Sequence, residues 1–225
     1  VRYASAKKKE ALDLAKTEAH PMIIFCGTRD KTEDMAKELN LCFGPGSARF
    51  YHAGMEKAEK DETEKWFYES KDGVLCATCA YGMGVDKKDI KTVVHIEASA
   101  TAEAYIQEAG RGGRDGSIAK AILLWSPEDS LNYSVFKKGS REAALREFAE
   151  TDTCRRQVLL DALGAEQAVC SGCDLCDARR NKTEGKKLPK SAPSDWLQAY
   201  EIIRKARNYY SEEDIETELS ERMNS

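Results

Sequence analysis

From residue 4 to about residue 126, short apolar runs alternate with stretches of helical spacing. MIIFC (22–26), ARFYH (48–52), GVLCAT (73–78), TVVHI (92–96) and AILLW (121–125) are rich in β-branched or aromatic residues, the make-up of buried strands. Between them, TRDKTEDMAKELN (28–40), EKAEKDETEKWFYES (56–70) and TAEAYIQEAG (101–110) read as helices. In the second of these, Trp66 and Phe67 meet Thr63 and Ser70 at three- and four-residue spacing, which makes one semi-apolar face. The opening VRYASAKKKEALDLAK also has a helical look and begins abruptly, as an excised fragment would. Strands alternating with helices predict an α/β fold with a parallel sheet covered on both faces. In such sheets ligands gather at the carboxyl ends of the strands.

The alternation stops after SPED (126–129). Ser126 with Pro127 suits a helix start, and Ser140 is another candidate. Residues 140–164 are helical in pattern, with a break expected near Thr151 and an end at Gly164. Residues 178–194 hold two prolines and six basic residues against one acid, which reads as a flexible basic linker. Residues 195–225 return to a helical pattern, and Ser211 followed by Asp214 resembles a capping box. There is no internal repeat.

Composition adds limits. The 225 residues are 41% hydrophobic and 33% charged, a globular balance with a heavily charged surface. The net charge of −4 announces no global basic field, so a nucleic-acid partner would be held by local patches. No apolar run approaches the roughly 20 residues that span a bilayer. The expectation is an intracellular, cytoplasmic or nucleoid protein (nuclear in a eukaryote) with no membrane partner.

The eight cysteines are unevenly placed. Cys154, Cys170, Cys173 and Cys176 fall within 23 residues, in the order Cys-x15-Cys-x2-Cys-x2-Cys. A Cys-x-x-Cys turn lets two sulfurs converge on one ion, and two more complete a tetrahedron with no open position. The cluster therefore predicts a structural Zn2+ site that stabilises a small helical module. Cys76 and Cys79 form a second Cys-x-x-Cys at the end of an apolar run. Successive strand side chains alternate faces, so these two are read as core residues.

QEAGRGGRDG (107–116) sets Arg111 and Arg114 three apart among four glycines. A guanidinium is permanently charged and can fork onto phosphate oxygens, and glycines let a phosphate or another backbone approach closely. A solvated turn that happens to carry two arginines stays open on spacing alone. ATCAYGMGVDKKD (77–89) follows a strand and carries Gly82, Gly84, Asp86 and Asp89. No Gly-x-x-x-x-Gly-Lys-[Ser/Thr] phosphate loop occurs anywhere in the chain. DETE (61–64) follows no apolar strand and fails as a metal-binding acidic box.

IIFCGTR (23–29), FYHAGM (50–55), VLCATCAYGMGVDKKDIKTVVH (74–95) and YIQEAGRGGRDG (105–116) resemble, in order, the late helicase motifs of the RecQ family of DNA helicases. CRRQVLL (154–160) followed by CSGCDLC (170–176) is similar to that family's zinc subdomain. The resemblance covers roughly residues 1–178. RNA helicases with the Asp-Glu-Ala-Asp box share the plan, but their last motif typically opens with His-Arg where this chain has Gln107-Glu108, and they lack the cysteines. One departure is HIEASATAEAY (95–105), where the family usually has a proline-containing stretch.

The resemblance implies a second RecA-like lobe, a parallel sheet sandwiched by helices, over residues 1–127. A helical zinc-binding subdomain over 128–178, the linker 179–194 and a helical tail 195–225 would follow, the tail being a possible start of a winged-helix region. It implies the rear part of an ATP-dependent 3′–5′ DNA helicase acting in repair or recombination. Such a protein unwinds duplex DNA by moving on a single strand. ATP and Mg2+ would be bound mainly by the N-terminal RecA-like lobe of the same protein, so this chain alone is expected to be inactive. Arg114 would be the arginine finger and Arg111 a second phosphate contact. Gln107, Asp86 and Gly84 would serve the nucleotide, Asp86 near the ribose. Thr28, Arg29, His52 and Thr78 would line the single-strand backbone. The alternative is a non-catalytic, zinc-stabilised DNA-binding adaptor with a RecA-like fold.

Overall fold

A computed structural model describes residues 1–81, 87–170 and 172–180. Residues 178–180, expected to open the basic linker, instead close the helix Asp174–Arg180; the rest of that linker, the 195–225 tail with its Ser211–Asp214 box, and the expectations for Gly84 and Asp86 lie outside the described residues. The elements are β1 (Arg2–Tyr3), α1 (Lys7–Thr17), β2 (Met22–Phe25), α2 (Arg29–Phe43), β3 (Ala48–Tyr51), α3 (Lys57–Glu69), β4 (Val74–Ala77), β5 (Thr92–His95), α4 (Ala102–Ala109), β6 (Lys120–Trp125), α5 (Pro127–Asn132), α6 (Ala144–Glu150), α7 (Arg155–Ala162) and α8 (Asp174–Arg180).

Among the described residues, six strands pair in parallel, in the order β1-β6-β5-β2-β4-β3. The period-2 alternation of each strand divides the core. Met22, Ile24, Cys76 and Val94 face α1 and α2, meeting Leu14, Met35 and Leu39. Ile23, Leu75 and Val93 face the other way, with Phe67 of α3. Every residue of β2, β4 and β5 is buried, as expected of strands covered on both faces.

The second face continues past residue 127 without a seam. Leu123 and Trp125 of β6 and Tyr105 of α4 share one apolar cluster with Leu145 and Phe148 of α6 and Leu159 of α7. The Tyr105 and Phe148 rings lie 5.1 Å apart. Helices α6 and α7 are thus built onto the sheet's own core, while no residue of α8 joins this cluster.

Several local expectations meet the structure directly. Ser126 caps α5 with Asp129 as its reciprocal partner and Pro127 in the first turn. Thr151 takes extended backbone and separates α6 from α7. Gly164, at φ +68°, follows the end of α7, and the Ala165 N–H returns to Leu160 O at 2.9 Å.

Three expectations are corrected. Residues 2–3 are a strand, not the start of a helix; Arg2 and Tyr3 pair with Leu124 and Trp125, and the Tyr3 hydroxyl donates to Ala149 O at 2.8 Å. Ser140 begins a turn in which its Oγ accepts from the Ala143 N–H at 3.2 Å, and α6 starts only at Ala144. Cys79 is exposed, unlike the buried Cys76, because β4 ends at Ala77 and the chain turns. Among the described residues, no helix is long and apolar enough to cross a membrane.

Candidate functional site

The parallel strands deliver Thr28, Arg29, His52 and Thr78 to one rim, just past the carboxyl ends of β2, β3 and β4. Thr28 is the cap of α2, its hydroxyl accepting from the Lys31 N–H at 3.3 Å. Arg29 is exposed and folds over Gly54, where an added Cβ would come within 2.8 Å of the guanidinium. Thr78 donates its N–H to Tyr51 O at 3.1 Å. His52 differs from the other three. It is 6% exposed. Its Nε2 is paired with Glu33 Oε1 at 2.9 Å, and its ring stacks on Phe50 at 5.4 Å. Its ring thus braces β3 against α2.

Sequence reasoning missed what stands between β2 and β5, the strands whose onward connections leave in opposite directions. The Glu97 carboxylate accepts from the Gly27 N–H at 2.9 Å and from Lys31 Nζ at 2.5 Å. The hydrogen bond to Glu97 raises the Lys31 ammonium pKa. The available signal was an acid placed directly after the buried run TVVHI.

The arginine pair belongs to the opposite edge. After α4, the Gly113 N–H donates to Ile90 O at 2.9 Å and the Asp115 N–H to Lys88 O at 3.0 Å, which straps the turn to the segment leading into β5. That segment is fixed in turn by Lys87. Its buried ammonium donates to Tyr68 O and Ser70 O, at 3.1 and 2.7 Å, at the carboxyl end of α3, where a cation is favoured.

The glycines serve this chain's own close approach. A Cβ on Gly112 would lie 3.0 Å from Ala119 Cβ, and one on Gly113 would lie 2.6 Å from Ser117 O. Arg114 is exposed, with its Nε donating to Gly110 O at 3.2 Å. Arg111 is half-buried, its guanidinium carbon 5.5 Å above the centre of the Tyr81 ring. Burial, and then the nearby Arg114 charge, lower its pKa. The Asp115 carboxylate is engaged by Ser117 and Lys91. The Ser117 hydroxyl and N–H bring its pKa down to about 2. Gln107 is exposed near the end of α4, four residues before Arg111 in sequence. The structure thus brings Arg111 and Arg114 together on one turn, away from the Thr28–Thr78 rim.

Between these regions lies a buried polar cluster that the sequence did not reveal. Glu108 Oε2 accepts from Ser99 Oγ at 2.5 Å and is paired with His95 Nε2 at 3.0 Å. His95 is fully buried, stacked on Phe25 at 5.0 Å and beside Tyr105 at 4.8 Å. A lone histidine inside an apolar strand gives no sign of its partner.

The four clustered cysteines converge. The sulfurs of Cys154, Cys170, Cys173 and Cys176 all lie within 4.8 Å of one another. A tetrahedral zinc with 2.3 Å bonds needs sulfurs about 3.8 Å apart, which suits this set. Burial pushes the Cys173 thiol up, but the N–H groups of Cys176 and Arg155 and the neighbouring thiols outweigh it and bring it down to about 7. Hydrogen bonding to Cys173 pushes Cys176 up to about 12. Arg155 anchors the cluster to the rest of the fold. Its Nε donates to both Asp174 oxygens, at 2.7 and 2.9 Å, and its Nη1 to Phe148 O and Ala149 O, at 2.7 and 2.8 Å.

Known proteins bear on this geometry. Residues 6–116, which end just beyond Arg114, match the helicase conserved C-terminal domain family. The chain is 37% identical over 167 residues to the ATP-dependent DNA helicase RecQ of Pasteurella multocida, covering 68% of this chain and 26% of that protein. It is 37% identical over 179 residues to RecQ of Haemophilus influenzae, covering 72% and 28%. It is 30% identical over 211 residues to the bifunctional 3′-5′ exonuclease/ATP-dependent helicase WRN of Mus musculus, covering 81% and 14%. The chain therefore spans about a quarter of the bacterial relatives' length. In fold it is similar to the E. coli DEAD-box protein SrmB, with a TM-score of 0.53 at 22% identity over 64% of this chain and 82% of that one. With the arginine turn inside the matched family span, and RecQ likeness over more than two thirds of its residues, the chain belongs to the RecQ family of helicases, as a C-terminal region of such a protein.

Proposed function

We propose that the chain is the second RecA-like lobe (residues 1–127) and zinc-binding subdomain (128–178) of an ATP-driven DNA helicase that moves 3′ to 5′ on single-stranded DNA. A first lobe of the same protein would hold ATP and Mg2+, and Arg114 would reach across to the γ-phosphate as the arginine finger. Mg2+ supplies charge neutralisation between the phosphates. This chain's part is to present two guanidinium groups at a fixed place. Arg111 and Gln107 would contact the nucleotide beside Arg114. Thr28, Arg29 and Thr78 would hold the single-strand backbone at the other rim, with His52 bracing β3 there. Cys154, Cys170, Cys173 and Cys176 would hold a structural Zn2+, their four sulfurs leaving no open position for catalysis.

One observation carries this reading. Arg114 is exposed on a turn strapped by backbone hydrogen bonds to the segment before β5, with Arg111 three residues away. A backbone fixed this way limits the reorganisation needed to bring its cations to charge that develops on a transferring phosphoryl group.

The test is Arg114→Ala in the full-length protein. DNA-stimulated ATP hydrolysis should fall by about 10³-fold or more, as loss of a finger does elsewhere, while ATP binding stays within a few-fold. Unchanged hydrolysis would remove the finger assignment. A full-length protein without any DNA-stimulated hydrolysis would favour the adaptor reading.

A further inference from the structure

The Tyr81 ring beneath Arg111 has been given no role so far. The chain leaving β4 turns back over the second face of the sheet. This places Tyr81, 1% exposed, in the cluster with Phe67, Ile90 and Val93. Its ring meets Tyr51 edge-on at 5.3 Å and 79°, and Phe67 at 6.1 Å and 76°. The Arg111 guanidinium covers it at 5.5 Å. The packing is tight, and among the described residues the Tyr81 hydroxyl and Arg111 Nε are buried with no hydrogen-bond partner. A phenol buried without a partner costs stability, so the hydroxyl does not explain the residue. The ring does, because an aromatic face attracts a guanidinium and fixes its plane.

Tyr81 is also joined to the far rim. Its N–H donates to Thr78 O at 3.1 Å, and the Thr78 N–H donates to Tyr51 O at 3.1 Å. Thr78 is a rim residue, and Tyr51 immediately precedes His52. Thr78 and the ring beneath Arg111 thus stand three residues apart on one hydrogen-bonded turn.

We propose that Tyr81 is a positioning residue, an aromatic shelf that sets the Arg111 guanidinium and ties its presentation to occupancy of the Thr78 rim. The proposal rests on the reading that Arg111 serves the ATP site. The reaction is unchanged; Tyr81 acts only through Arg111.

The experiment compares DNA-free and DNA-stimulated ATP hydrolysis by the full-length protein. Tyr81→Phe keeps the ring and removes the unpaired hydroxyl, so both rates should stay within about twofold of the parent. Tyr81→Leu removes the ring face. The stimulated rate should fall about tenfold while the DNA-free rate stays within about twofold. Tyr81→Met, which fills the slot with an unbranched chain, should repeat this if the leucine variant folds poorly. In an Arg111→Ala background, Tyr81→Leu should cause no further loss, since it would have nothing left to position. A further loss there would mark general damage and overturn the proposal, as would a fall in Tyr81→Phe equal to that in Tyr81→Leu. If Arg111→Ala cripples hydrolysis and both Tyr81→Leu and Tyr81→Met leave stimulation intact, the shelf fails and the arginine reading stands. If Arg111→Ala is itself silent, the arginine reading fails first.

Discussion

Gly113 explains the bareness of the arginine turn. Its φ of +69° lies in the left-handed region, and an added Cβ would sit 2.6 Å from Ser117 O. Either feature alone penalises a side chain, and the obstructing atom is backbone, which cannot step aside cheaply. Gly113→Ala should therefore cost about 2 kcal/mol or more of folding stability, read from the denaturant midpoint. A neutral result would mean that the turn relaxes freely and that the straps to Ile90 and Lys88 do not define it. The spacing Gly-Arg-Gly-Gly-Arg announced a close approach, but not by what. The approaching groups turn out to be Ser117, Ala119 and Val93 of the same chain. Arg111 and Arg114 were legible as a pair from their charge and three-residue spacing. The Tyr81 ring under Arg111 was not, because contacts made by chain reversal leave no local period in a sequence.

At the scale of the element, α4 carries the site, and a buried polar cluster fixes it to β5. Its helical pattern and its end at Gly110 were both readable. Its partner across the core was not, since His95 looks like one more strand residue. Glu108 accepts from Ser99 and pairs with the fully buried His95. Removing one partner of such a buried group leaves the other unsatisfied, which usually costs more than the intact pair contributes. Glu108→Ala should destabilise the protein by about 3 kcal/mol, and Glu108→Gln, which keeps an acceptor for Ser99, by less. Thermal and denaturant unfolding of both variants check this; equal losses would mean that packing alone holds α4. The two-residue β1 failed for a related reason. It is exposed and has no apolar alternation, so its pairing with β6 is imposed by tertiary structure.

For the whole molecule, the alternation of apolar runs with helical stretches was enough to predict the parallel sheet, because buried strands and amphipathic helices carry different periods. The packing across residue 127 was out of reach, since no local signal says that Leu145, Phe148 and Leu159 will complete the cluster begun by Leu123 and Trp125. That shared cluster decides what loss of the metal would do. If the cysteine module stood alone, stripping its ion would unfold residues 128–178 and leave the rest untouched. Here α6 is held by apolar contacts with Tyr105 and Trp125, whereas α8 contributes only Leu175 to the buried residues and depends on the thiol cluster and the Arg155–Asp174 pair. Chelation, or Cys173→Ser, should therefore release the region in a gradient. Amide hydrogen exchange should speed up most in 172–180, clearly in α7, modestly in α6 and β6, and little in β2 and β4, whose residues face other clusters. Metal analysis of the parent protein should find about one zinc per chain, lost in Cys173→Ser. Exchange rising equally through β2 would instead make lobe and module one cooperative unit, and unchanged exchange in 172–180 would show that the four thiols need no ion to hold their places.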